Sequence, residues 1–185
     1  MRKFFILVLV VASIFVSCDV NGTSSGASTN NDSGSSSLPV LSSDFEDGTL
    51  QDWQANGTGT ASVSTSQVHD GSYSAMVTIG AQSWETLWYY GIDSKLSPDK
   101  SYHFVFWLYQ ETGSDQNYNL SLKYNDGSSD QYDSIIYQQT VQSGVWTKVE
   151  GDYTFPSSKG TMKDIYIEGP TSEAFYLDDF SILEN

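Results

Sequence analysis

The chain has 185 residues, 38% of them hydrophobic and 14% aromatic, enough for one globular domain with appendages. Its formal charge is −15, and two units more negative if a leader carrying Arg2 and Lys3 is removed. That field repels phosphate backbones and anionic lipid head groups, which argues against nucleic acid and charge-driven membrane adhesion and is compatible with a neutral ligand. The aromatics are mostly Tyr and Trp, 12 and 5 of them, whereas cores favour aliphatic side chains. Tyr and Trp combine a flat apolar face with a polar tip, which suits half-wet recognition surfaces. Cys18 is the single cysteine, so no intrachain disulfide and no Cys-based metal site is possible. His69 and His103 have no metal-ligand spacing.

At the N-terminus Arg2 and Lys3 precede a mostly apolar run from Phe4 to Val16. That run is too short for a membrane span and has the form of a signal-peptide core, predicting a leader over 1–17. It ends in Phe15-Val16-Ser17-Cys18, which resembles a bacterial lipobox and implies lipidation of Cys18. The expected protein is therefore exported and anchored to a bacterial membrane by its lipid, at the cell surface or the periplasmic face. The stretch Asp19–Ser37 has almost nothing to bury and predicts a flexible Ser/Gly/Asn tether. Leu38-Pro39 closes it, giving a linker over 18–41 and a folded domain over 42–185.

The domain reads as short strands with turn punctuation. Candidate strands are Ala61–Thr65, Tyr73–Ile79, Tyr102–Gln110, Asn119–Asn125, Trp146–Phe155, Lys163–Ile167 and Ala174–Leu183. Between them stand turn signals such as Asp70-Gly71, Asn125-Asp126-Gly127 and Gly169-Pro170. No stretch carries a capped helical period. This pattern predicts an all-β fold, a β-sandwich (jelly roll) of two antiparallel sheets.

Three motifs in order carry a resemblance: Phe45-Glu46-Asp47-Gly48-Thr49-Leu50-Gln51-Asp52-Trp53, then His69-Asp70-Gly71-Ser72-Tyr73-Ser74, then Phe175-Tyr176-Leu177-Asp178-Asp179-Phe180. Together the domain resembles the cellulose- and xylan-binding sandwich modules of carbohydrate-binding families 4, 9 and 22. The stretches Tyr102–Gln110, Leu122-Lys123-Tyr124 and Tyr166–Pro170 resemble family 22, the xylan-binding type, most. The resemblance implies non-catalytic binding of a β-linked plant polysaccharide, xylan or mixed-linkage β-glucan, by a monomer that assists glycoside hydrolases. Carried over by position, the ligand-contacting residues are Trp84, Tyr132, Tyr166 and Glu168. Asn56 stands where the family often has an Arg, and keeps hydrogen bonding without the guanidinium's charge and reach.

The residues themselves agree with that placement. Sugar rings pack axial C–H groups on aromatic faces, and their hydroxyls need planar polar partners. Tyr166 and Glu168 are two apart on a strand and share a face, opposite Ile165 and Ile167, which predicts an exposed Tyr/Glu pair. Trp84 and Tyr132 lie in polar runs, Gln82–Glu85 and Asp130–Asp133, unsuited to a core. Trp53, Trp107 and Trp146 are expected in the core or packed on a sheet, and Tyr89 and Tyr90 stay uncommitted.

The resemblance also implies one structural Ca²⁺ where the terminal strands meet, with Glu46 and one of Asp178-Asp179 as carboxylate ligands and carbonyls around Ser72. Two rival readings stand beside the binding module. A small glycoside hydrolase would need two carboxylates across a cleft. A surface adhesin or assembly lipoprotein would show an apolar patch instead of a polar aromatic groove.

Overall fold

The computed structural model describes residues 38–185. Eleven strands follow in chain order: β1 (Leu41–Ser43), β2 (Trp53–Ala55), β3 (Thr60–Ser64), β4 (Ser74–Thr78), β5 (Leu87–Tyr90), β6 (Ser101–Gln110), β7 (Gln116–Asn125), β8 (Asp130–Val141), β9 (Thr147–Thr154), β10 (Thr161–Glu168) and β11 (Ala174–Glu184). Two single 3₁₀ turns, Ile92–Ser94 and Ser157–Lys159, interrupt them. One sheet has the order β3-β4-β11-β6-β9, with β1 also pairing β11. The other runs β2-β5-β10-β7-β8, and the strand pairs within both sheets are antiparallel. The fold is the expected β-sandwich.

Strict alternation explains why the sheets face each other. In β6, Tyr102, Phe104, Phe106 and Leu108 turn inward while His103, Val105, Trp107 and Tyr109 turn out. Leu120 and Leu122 of β7 and Ile165 and Ile167 of β10 answer from the other sheet, all buried. Full burial of one such side chain stabilises the fold by about 1.5–3 kcal/mol. Trp53 joins this core at 2% exposure, edge-on to Tyr89 and Phe180 at 5.5 and 4.9 Å between ring centroids.

The strands expected from the sequence are present, each end within three residues of the expected bound. Four others were hidden: β1, β2, β5 and the twelve-residue β8. β1 and β2 have three residues each, too few for a period to show. β8 is an edge strand whose register with β7 shifts twice, so its alternation breaks. The folded domain also starts earlier than expected at position 42. Val40 donates to the Ile182 carbonyl at 2.8 Å and Leu41 pairs with Ile182 inside the stretch read as linker. The predicted leader, Cys18 and most of the tether lie outside the described residues.

Candidate functional site

The outward face of the five-stranded sheet carries the site. Register sets its rows. Trp88 lies opposite Tyr166, and Tyr166 opposite Ser121, which faces Ser134. The neighbouring row runs Tyr90, Asp164, Lys123, Tyr132 across the same four strands. Above these rows a cavity of about 660 Å³ is lined by Asn56, Trp84, Tyr132, Tyr166 and Glu168, the five residues expected from the sequence, together with Trp88, Tyr90 and Lys123. Its size falls within the range of small-ligand sites.

Three aromatics present open faces to it: Trp84 (43% exposed), Tyr90 (41%) and Tyr132 (56%). Tyr166 does not, and here the expectation of an exposed Tyr/Glu pair is corrected. The ring shares the cleft face with Glu168 but is only 3% exposed. Trp88 covers it in a parallel stack, 4.1 Å between centroids and 9° between planes, and Tyr132 meets it edge-on at 6.3 Å. A face already stacked on an indole is closed to a sugar ring, so Tyr166 forms the floor beneath the platforms. Alternation had placed the residue on the correct side; its neighbour across the ladder, Trp88, decided its burial. Trp88 escaped notice because Leu87-Trp88-Tyr89 are all buried and show no period.

Trp84 sits on the loop between β4 and β5, and that loop is braced. Its carbonyl accepts the Trp88 indole N–H at 2.8 Å. Next to it, the Glu85 carboxylate accepts the Thr58 hydroxyl at 2.5 Å and the Gln82 amide at 3.2 Å. The chain around Asn56 packs against this brace so closely that a Cβ at Gly59 would lie 2.3 Å from the Glu85 carbonyl oxygen. Asn56 itself is tied to the residue just before β5 by its N–H, 2.8 Å from the Thr86 carbonyl. The platform is therefore preorganised, which lowers the ordering cost of binding.

Polar groups complete the floor. Asn119 donates its amide to Glu168 Oε2 at 3.1 Å, which fixes the carboxylate and leaves Oε1 to accept from a ligand hydroxyl. Lys123 is held to Asp130 at 3.0 Å and lies 5.9 Å from the Trp88 ring centre. The hydrogen bond to Asp130 holds the lysine ammonium above its ordinary range, so it stays charged and paired. Burial first, and nearby carboxylates second, push the phenols of Tyr90 and Tyr166 upward, so both remain neutral donors near neutral pH. Glu168 is the carboxylate among the cleft-lining residues, while Asp164 in the neighbouring row is buried and accepts the Gly91 N–H at 3.2 Å.

Among the three remaining tryptophans of the sequence reading, Trp53 is core while Trp107 and Trp146 are half-buried on the outer face of the six-stranded sheet. The His69 ring stacks on Trp107 at 3.8 Å and meets Trp146 edge-on at 5.7 Å.

The residues proposed for calcium flank the loop from His69 to Tyr73. Glu46 Oε1 accepts the N–H groups of Ser72 and Tyr73 at 2.9 and 2.8 Å. Asp178 is fully buried and accepts the N–H groups of His69 and Asp179, both at 2.9 Å. Ser72 thus turns its amide to Glu46, where a carbonyl was expected. Burial pushes the Asp178 carboxyl up to about 6. Two carboxylates held against one loop are hard oxygen donors of the kind Ca²⁺ takes, and a buried acid with only N–H partners is a group that such a cation would relieve. No group of three or more metal-binding side chains occurs among the described residues, so most ligands would have to be backbone oxygens.

A family model described as a carbohydrate binding domain matches residues 39–173, most of the chain. The chain belongs to this family. The matched unit is a binding domain and not a catalytic one. Among known proteins it is similar to endo-1,4-beta-xylanase A of Thermotoga maritima, 31% identical over 151 residues, and to the Thermotoga neapolitana enzyme, 33% over 152. Each match covers 78% of this chain and 14% of the xylanase, so the chain spans about a seventh of those enzymes. Among solved structures it is similar to the CBM22-1 xylan-binding domain of Paenibacillus barcinonensis Xyn10C, with a TM-score of 0.73 and 24% identity over 80% of this chain and 95% of that one. A similar fit is found to the C-terminal family 22 carbohydrate binding module of Clostridium thermocellum Xyn10B, with a TM-score of 0.71 and 25% identity over 79% and 92% of the two chains.

Proposed function

We propose that this carbohydrate-binding domain grips a neutral β-linked plant polysaccharide, xylan or a mixed-linkage β-glucan, in the cleft of the five-stranded sheet. The observation that carries the reading is the trio of exposed rings, Trp84, Tyr90 and Tyr132, arranged around a paired polar floor. The relatives support xylan: the solved neighbours named above include a xylan-binding domain, and the related enzymes are xylanases. Trp84, Tyr90 and Tyr132 stack sugar rings, while Glu168, Asn56 and the Tyr166 hydroxyl bond to sugar hydroxyls. The apolar run from Phe4 to Val16 and the cysteine that follows it, Cys18, support a reading in which this binder is anchored to a bacterial membrane through a lipid, where it would hold substrate near hydrolases.

Affinity electrophoresis through gels cast with xylan, mixed-linkage β-glucan or hydroxyethylcellulose tests the reading. Retardation in xylan is expected, with a dissociation constant in the micromolar range, about 8 kcal/mol. Because the ligand is neutral and Lys123 is already paired, raising the salt to about 0.5 M should leave retardation unchanged, where a charge-driven contact would be screened. Migration equal to a non-binding control in all three gels, with the domain folded, would remove the proposal and favour a protein-binding adhesin.

A structural calcium ion bound by Glu46 and Asp178 is part of the same reading. Calcium at about a hundredfold its dissociation constant would add about 2.7 kcal/mol. The thermal midpoint should then rise by about 5–10 °C over that in chelator. Asp178→Asn should abolish the difference, and equal midpoints with calcium and chelator in the unmodified protein would count against the ion.

A further inference from the structure

Four aromatic side chains among the described residues are strongly exposed, and three of them line the cleft. The fourth, Tyr137, is the most exposed at 68%. It lies on β8, the edge strand beside the cleft, where the register slips between Tyr118 and Leu120. Tyr118 pairs with Gln139 and Leu120 with Ile136, so the two residues Tyr137 and Gln138 oppose the single residue Asn119. Ile136 opposes Leu120 and is buried in the core, so the next residue along, Tyr137, turns to the cleft side, and bulges often re-aim side chains near functional sites.

Asn119 belongs to the cleft. It pairs with Glu168 across β7 and β10, and its amide fixes the Glu168 carboxylate. The other end of the same side chain holds the bulge: Asn119 Oδ1 accepts the Gln138 N–H at 2.6 Å. Gln138 adopts φ 50, a left-handed conformation that costs a non-glycine residue about 1–2 kcal/mol and persists only where neighbours enforce it. Its side-chain amide then donates to the Tyr137 hydroxyl at 3.1 Å and orients the ring. One side chain thus couples the cleft carboxylate to a strained turn whose effect is to hold an exposed tyrosine at the sheet edge.

We propose that Tyr137 forms an outer sugar-binding subsite, in line with Glu168 and Asn119, that is filled only by longer chains of the same neutral β-linked glycan. The proposal rests on the cleft reading above. Tyr132 and Tyr137 share β8, but Tyr132 opposes Lys123 and Tyr137 opposes Asn119, four residues or about 13 Å along β7, so a short oligosaccharide would occupy the main platforms before reaching Tyr137.

Calorimetric titration of the protein and of Tyr137→Ala with a graded series of xylo-oligosaccharides, from trisaccharide to hexasaccharide, tests it. The unmodified protein should bind more tightly as chain length grows. Tyr137→Ala should match it for the trisaccharide and lose about 5- to 10-fold for the hexasaccharide. Tyr137→Phe, which keeps the ring, should retain most of the gain. Equal hexasaccharide affinities for the protein and Tyr137→Ala would overturn the subsite and leave the cleft reading standing. Absence of binding by the unmodified protein to any member of this series and of a matched series of mixed-linkage β-gluco-oligosaccharides would overturn both.

Discussion

Trp84→Ala is expected to weaken binding to xylan by about 30-fold or more while leaving the domain as stable as before. The ring is the one tryptophan of the cleft with an open face, 43% exposed, whereas Trp88 is spent on its stack with Tyr166. Anchors of this type carry about 2 kcal/mol or more of binding energy, and 1.4 kcal/mol is tenfold in affinity. Stability should be spared because the structural contact made by this residue is its carbonyl, which accepts the Trp88 indole N–H and remains in alanine. An exposed side chain removed without a buried partner shifts stability by about 0.5 kcal/mol at most. Calorimetric titration with xylohexaose, run beside a thermal melt, separates the two quantities. An affinity within about twofold of the unmodified protein would move the main platform to Tyr90 and Tyr132.

How far the sequence could be read depended on whether a residue's surroundings were local. Trp84 and Tyr132 stood out because their immediate neighbours, Gln82, Ser83, Glu85, Asp130, Gln131 and Asp133, are polar, and a large ring in polar company has little to bury against. Glu168 followed from period-two alternation within β10 and needed no knowledge of other strands. Trp88 and the burial of Tyr166 were illegible for the opposite reason. Their stack joins residues 78 positions apart, and only the β5–β10 register brings them together. Lys123 sits in a plain alternating strand, and its place in the cleft comes from the β7–β10 pairing. Tyr137 was missed because β8 was not read as a strand at all: its register shifts break the alternation, and counting by twos from Tyr132 would give the wrong face. The family resemblance supplied the location of the cleft, while the physics of alternation supplied its sides.

Trp53→Ala should show the converse of Trp84→Ala: a loss of about 3–5 kcal/mol of stability, with xylan affinity preserved in whatever fraction remains folded. Both tryptophans follow an acidic or polar stretch, Asp52 before one and Ser83 before the other, so local sequence does not separate them. The fold does. Trp53 is 2% exposed, turns inward from β2, and contacts Tyr89 and Phe180 edge-on across the two sheets. Its indole N–H donates to the Ser43 hydroxyl at 3.0 Å, so alanine opens a large cavity and also strips a buried serine of its partner. For a domain of this size a loss of that magnitude lowers the thermal midpoint by about 10 °C or more. Urea unfolding with an unchanged slope would attribute the loss to the native core. A fall of less than about 1 kcal/mol would mean that the two sheets repack around the missing ring, and that Trp53 is not what joins β2 to the core.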